Sequence, residues 1–308
     1  MTTTPIFWTA EYSAQKGPVQ LAMYRKRLSA PAPIEKPLPV LFLVHGSSLS
    51  ALASFDVAGP AIGDYSLMNY FAARGFDVWT MDHEGYGRSS RTEGNSDIAS
   101  GVADLRAAAD VIVHETGQSI VDFYGESSGG LRAGAFATAY PDRVGRLAMA
   151  AITYTGKGSP TLGERAKQLE FFKTNNRRKR DLAMIRSIAT RDKPGTSDPN
   201  VADVIWAYES QFGESVPTGT YLDMTANLPV VDPAKLTAPV LLIRGEYDGI
   251  ATEEDLQDFF AKLASRDKQY VVMPGAAHSL LIGHNRFLAM HAIHAFLTMP
   301  PEVPLQAI

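Results

Sequence analysis

The chain has 308 residues, with 29 Lys and Arg against 33 Asp and Glu for a formal net charge of −4, and no Cys. That length is enough to bury a large core, in one big domain or two modest ones. The charge leaves no basic footprint for nucleic acid, and the lack of Cys excludes thiolate catalysis, disulfides and Cys-ligated metal.

Taken from the N-terminus, the stretch from Met1 to Trp8 has neither a basic region nor a long apolar one. No later apolar run reaches the roughly 18 residues a bilayer span needs, so a cytoplasmic protein without membrane contact is expected. Phe7 to Ala14 and Val19 to Arg27 are extended segments joined at Lys16-Gly17-Pro18, which predicts a β-hairpin. After the Pro-rich stretch Ala30 to Pro39 come apolar runs of strand length: Val40 to Val44, Phe76 to Met81, Ser119 to Tyr124, Arg146 to Ile152, Val240 to Ile243 and Gln269 to Met273. Helical patterns alternate with them over Leu67 to Arg74, Ile98 to Glu115, Gly129 to Tyr140, Glu253 to Leu263 and Phe287 to Leu297. The alternation predicts an α/β fold: a mostly parallel central sheet with helices on both faces, behind an N-terminal antiparallel hairpin.

Thr155 to Lys235 breaks the alternation. It has helical stretches at Leu162 to Lys173, Leu182 to Ala189 and Ala202 to Phe212, and no convincing strand. Gly156, Gly158 and Pro160 bound it on one side, and Pro229, Pro233 and Pro239 on the other. The expectation is a helical cap, 155–235, inserted into a core of 1–154 and 236–308. It would lie over the carboxyl ends of the strands, where ligands bind in open α/β sheets.

Chemistry concentrates at those strand ends. Gly125-Glu126-Ser127-Ser128-Gly129 falls where a β-branched run gives way to a helix, and a serine framed by glycines at such a turn is an exposed nucleophile. A serine hydroxyl needs a base, and the base needs an orienting acid. Of seven His, His278 follows the last strand in Pro274-Gly275-Ala276-Ala277-His278, which favours it as the base. His45 suits a structural role at a strand end, His83 is a weaker competitor, and His114, His284, His291 and His294 belong to helical regions. Asp248 follows the strand Val240 to Ile243 in the same manner and is the expected acid. Glu246 is the runner-up, and Asp122 is discounted inside the nucleophile's own strand. An oxyanion needs preorganised N–H donors. Ser128, directly after the nucleophile, and Ser47, in Val44-His45-Gly46-Ser47-Ser48, are expected to supply them.

With these residues in place the chain resembles the α/β-hydrolase superfamily over nearly its whole length, in the manner of a capped serine esterase. Asp82-His83-Glu84-Gly85-Tyr86-Gly87-Arg88-Ser89 is similar to the D-x-x-G-x-G-x-S loop of many capped members, where it is mainly structural. Members that attack with Asp, the haloalkane dehalogenases and related epoxide hydrolases, differ from this chain at Ser127. The resemblance implies an acyl-enzyme route on a small-molecule ester, with lactones or monoesters in the same class. A carbon–carbon hydrolase of ring-cleavage products and a non-enzymatic receptor stay open as alternatives. No cofactor is implied, and no metal, since no His/Asp/Glu spacing suits one.

For the substrate pocket, Ser48, Tyr154, Trp206, Tyr208 and Phe212 are candidate lining residues, although aromatics at helical spacing equally suit cap core. The run Arg177 to Arg180 and Arg132 are candidate anion binders. Their simpler readings are a solvated charged face and a helix salt bridge. The assembly is expected to be a monomer or homodimer.

Overall fold

The computed structural model describes residues 6–300. Its sheet contains β1 (Trp8–Lys16), β2 (Val19–Arg27), β3 (Val40–Val44), β4 (Asp77–Met81), β5 (Val121–Glu126), β6 (Val144–Ala150), β7 (Val240–Gly245) and β8 (Lys268–Met273). They lie in the order β1-β2-β4-β3-β5-β6-β7-β8. Along β1, exposed Thr9, Glu11, Ser13 and Gln15 alternate with more buried neighbours, the pattern of an edge strand with one wet face. Register runs from Trp8↔Arg27 to Lys16↔Val19, which leaves Gly17 and Pro18 as a two-residue turn. Gly17 has φ 56°, a conformation that a hairpin this tight favours and glycine adopts without strain.

From β3 onward the neighbours pair in parallel, and β3, β4 and β7 are buried along their whole length. Such strands read as continuous apolar runs because helices cover both faces. Val40, Phe42 and Val44 face a core shared with the helices Ile98–Thr116, Ser128–Ala139 and Glu253–Lys262. Leu41 and Leu43 face the opposite core, built with the helices Leu67–Ala72 and Arg286–Leu297. The α/β expectation therefore holds.

Between β6 and β7 the chain carries the helices Pro160–Ala166, Leu169–Thr174, Leu182–Thr190 and Pro199–Glu209. Here the structure corrects the sequence reading, because Arg177–Lys179 pairs antiparallel with Ser215–Pro217. A three-residue strand is too short to show period-two alternation, and its basic composition mimics a solvated run. Instead of forming a solvated face, Arg177 donates to the Gly85 carbonyl (3.1 Å) and the Ser215 carbonyl (2.8 Å). Arg180 is buried, paired with Glu209, and donates to the Gly213 carbonyl (2.9 Å).

The sheet order also locates the site. From β3 the chain crosses to β4 on one side and then returns to β5 on the other, so β3 and β5 flank a switch point. Val44 pairs with Gly125, so the segments that follow, His45-Gly46-Ser47 and Glu126-Ser127-Ser128, leave the sheet side by side.

Candidate active site

Ser127 stands between β5 and the helix Ser128–Ala139 with φ 59° and ψ −127°, a conformation sparsely populated for a residue with a side chain. Close packing holds it there. A Cβ on Gly125 would lie 2.5 Å from the Gly129 carbonyl oxygen, and one on Gly129 would overlap the Val44 carbonyl. The turn thus needs glycine on both sides, because helix and strand backbones approach without room for a methyl group.

The side chains that converge on Ser127 come from distant parts of the sequence. Its hydroxyl lies 3.1 Å from His278 Nε2, and His278 Nδ1 lies 2.8 Å from Asp248 Oδ1. A carboxylate only accepts, so Nδ1 carries the proton and Nε2 is left to accept from the Ser127 hydroxyl. Asp248 Oδ1 also accepts the Ile250 and Ala251 N–H groups (2.8 and 2.9 Å), which hold that oxygen in place. Both Asp248 and His278 are buried. Glu246 points elsewhere and accepts the Gly275 N–H at 2.8 Å. Asp122 accepts the Arg146 N–H at 2.7 Å.

Ser47 and Ser128 meet through their side chains, Oγ to Oγ at 2.7 Å, and Thr220 donates its hydroxyl to Ser47 Oγ at 2.8 Å. The Tyr86 hydroxyl donates to the Ser47 carbonyl at 2.9 Å. This chain of hydroxyls pins the two turns against each other. Ser128 is the first residue of its helix, so its N–H has no acceptor within the helix and sits at the positive end of the dipole.

The loop after β4 is a brace for these turns. The Asp82 carboxylate accepts the Tyr24 hydroxyl (2.8 Å) and the N–H groups of Ala51 (2.8 Å) and Arg88 (2.9 Å). Gly87 packs on that carboxylate with no room for a Cβ. His83 is buried against Asp104 (3.0 Å), and its N–H donates to His45 Nε2 (3.0 Å). Burial holds both imidazoles well below their ordinary pKa, so they remain neutral.

A pocket opens beside Ser127 and His278, with Ser47, Ser48, Phe55 and Ile188 in its wall. Ser48 Oγ lies 2.9 Å from the Tyr221 hydroxyl. Four of the candidate lining residues are elsewhere. Tyr154 packs edge-on against Phe259 (5.4 Å), and its N–H is held by Asp255 (2.8 Å). Trp206 and Tyr208 pack on the cluster of Ile185, Val201 and Ile205, and Phe212 packs on Tyr208 (5.2 Å). These aromatics sit on faces that bury against neighbouring elements, which helical spacing alone does not distinguish from faces toward a pocket. Arg132 is also corrected. It is fully buried and donates to the Ser96 carbonyl and hydroxyl (2.7 and 3.0 Å), with neither a salt bridge among the described residues nor a place in the pocket wall.

Several site neighbours carry no motif. Arg165 and Arg191 line the pocket, and Asp192 accepts the His278 N–H at 3.2 Å. Glu126, next to Ser127, is a further wall residue. Loss of solvation pushes its carboxyl up to about 7, although the nearby His278 and the Tyr124 hydroxyl act to lower it. Among the described residues no cluster of three or more His, Asp or Glu is arranged to hold a metal ion.

The family model described as serine aminopeptidase, S33, matches residues 62–285, which include Ser127, Asp248 and His278. The chain belongs to this S33 hydrolase family. No curated protein matches the hydrolase. Among solved structures, it is similar to 2-hydroxy-6-oxo-6-phenylhexa-2,4-dienoate hydrolase from Rhodococcus sp. strain RHA1, at 17% identity over 95% of this chain and 100% of that one, TM-score 0.70. It is similar to a thermophilic esterase from Thermogutta terrifontis, at 19% identity over 94% and 98% of the two chains, TM-score 0.65. A bromoperoxidase from Bacillus anthracis is similar at 18% identity over 94% and 99%, TM-score 0.67. At these identities the likeness establishes the α/β-hydrolase fold of this S33 member. Among its described residues no helix is long and apolar enough to cross a membrane.

Proposed function

We propose that the protein is a serine hydrolase of small carboxylic esters, with Ser127 as nucleophile, His278 as general base and acid, and Asp248 as the group that orients it. The observation that carries this reading is the unbroken chain Ser127 Oγ to His278 Nε2 (3.1 Å) and His278 Nδ1 to Asp248 Oδ1 (2.8 Å) at the mouth of a pocket. The backbone N–H groups of Ser47 and Ser128 serve as the oxyanion donors, each contributing a few kcal/mol in the transition state. Segment 155–235 acts as a cap on a core of 1–154 and 236–308. Its Arg165, Ile188 and Arg191 in the pocket wall support that division.

In this mechanism Ser127 Oγ bonds to the ester carbonyl carbon while its proton passes to His278 Nε2. The tetrahedral oxyanion rests on the two N–H groups. The carbon–oxygen bond to the alcohol then breaks as His278 returns the proton to the leaving oxygen, which leaves an acyl-Ser127. Water, deprotonated by His278, attacks that ester, releases the acid and restores the hydroxyl. Replacing Ser127 with Ala should lower turnover of a p-nitrophenyl ester by at least about 10⁴-fold, on the scale seen when a triad nucleophile is removed. Undiminished hydrolysis by the variant overturns the assignment. Assay of a vinylogous 1,5-diketone beside the ester separates ester cleavage from carbon–carbon cleavage.

A further inference from the structure

The pocket wall is mixed in a way that simple ester hydrolysis does not require. Leu49, Phe55, Ile188, Leu281 and Ile282 make much of it apolar, yet two guanidinium groups, of Arg165 and Arg191, also line it. Arg191 has a partial partner, with Nε 3.4 Å from Asp192 Oδ1. Asp192 is shared, because its other oxygen accepts the His278 N–H.

Arg165 has no carboxylate within ion-pair distance among the described residues. Its guanidinium lies over the Tyr221 ring at 5.1 Å, and a second cation, Arg178, lies over the same ring at 4.5 Å. Burial, reinforced by the positive charges of Arg191 and Arg178, brings its pKa down to about 10, so it stays charged at neutral pH. Arg165 is only half-buried, but it stands beside like charges with no carboxylate to balance it, so an incoming anion supplies the missing partner. Glu126, the one carboxyl in the wall, interacts instead with the Tyr124 hydroxyl at 3.4 Å.

An anion entering this pocket meets a guanidinium with no carboxylate partner, flanked by apolar side chains that make the attraction stronger than at an open surface. The planar fork of Arg matches a carboxylate through two parallel hydrogen bonds. The apolar side chains suit a methylene or aromatic spacer. Resting on the serine-hydrolase reading above, we propose that the substrate is an ester carrying a second, ionised carboxylate, which Arg165 binds with help from Arg191 while the ester carbonyl lies at Ser127.

The test pairs monomethyl adipate with dimethyl adipate in a pH-stat, and adipate with adipamide in titration calorimetry on the Ser127→Ala protein. The monoester should be favoured in kcat/KM by about 10-fold or more, and Arg165→Met should reduce that ratio at least 10-fold, with Arg165→Lys intermediate. Adipate should bind the Ser127→Ala protein more tightly than adipamide, and adding Arg165→Met should weaken it at least 10-fold. Thermal melting checks that each variant is folded. Should Arg165→Met fail to fold, Arg191→Met takes its place with the same expected direction. Adipate binding no tighter than adipamide, or a monoester preference that survives both Arg substitutions, overturns the proposal even if esters are hydrolysed. Adipate binding that depends on Arg165, with neither ester turned over, supports the anion site and overturns the hydrolytic reading instead.

Discussion

Glu126 shows how one residue's surroundings set its chemistry. It sits between Gly125 and Ser127 because the strand must end there, and its carboxyl is thereby drawn into the pocket wall beside His278. Loss of solvation raises its pKa to about 7, against a reference of 4.5. A carboxyl whose pKa is higher folded than unfolded holds more protons in the native state between those values. Its contribution to stability is therefore fully present below about pH 4.5 and is lost as pH rises through 7. Glu126→Gln removes the titration, so its Tm should move up relative to the natural protein by a few degrees between pH 5 and pH 8. A Tm difference that stays constant across that range contradicts the account. The same side chain carries no sequence signal of its surroundings, since an acid before Ser127 looks like any polar turn residue until the wall around it is known.

At the scale of elements, the segment between β6 and β7 is tied to the core through buried polar groups as well as apolar faces. Glu209, at the end of the helix Pro199–Glu209, accepts the Ser50 N–H at 2.5 Å and pairs with Arg180, itself buried next to the short ribbon. Asp192 makes a second tie, to the His278 N–H, so that segment reaches the residue proposed as the base. Glu209→Ala leaves the Arg180 charge buried without its carboxylate and should cost about 3–5 kcal/mol in urea unfolding. Adding Arg180→Met removes the stranded charge and should recover part of that loss. A double variant no more stable than Glu209→Ala contradicts this account of the tie. Within the run Arg177 to Arg180, Lys179 is exposed and pairs locally with Asp181, whereas Arg177 and Arg180 reach the Gly85, Ser215 and Gly213 carbonyls and a carboxylate 29 residues away, which no local pattern reveals.

Across the whole molecule, what was legible was whatever the parallel sheet dictates locally. Buried strands such as Val40 to Val44 must be apolar on both faces, hairpin turns need a residue like Gly17, and polar residues in the loops after strands stand out against both. Ser127, Asp248 and His278 were legible for that reason, each being a polar residue just beyond an apolar run. The pocket wall was not. Whether Trp206 or Arg165 turns toward the pocket depends on how the helices between β6 and β7 pack, and both lie on helices whose spacing fits either outcome. The central claim is that the sheet assembles one activated serine from these separated loops. Treatment with a fluorophosphonate, followed by intact-protein and peptide mass spectrometry, tests it most directly. The account predicts a single adduct on the peptide containing Ser127, formed far more slowly in His278→Ala; no adduct, or an adduct on another residue, would contradict it.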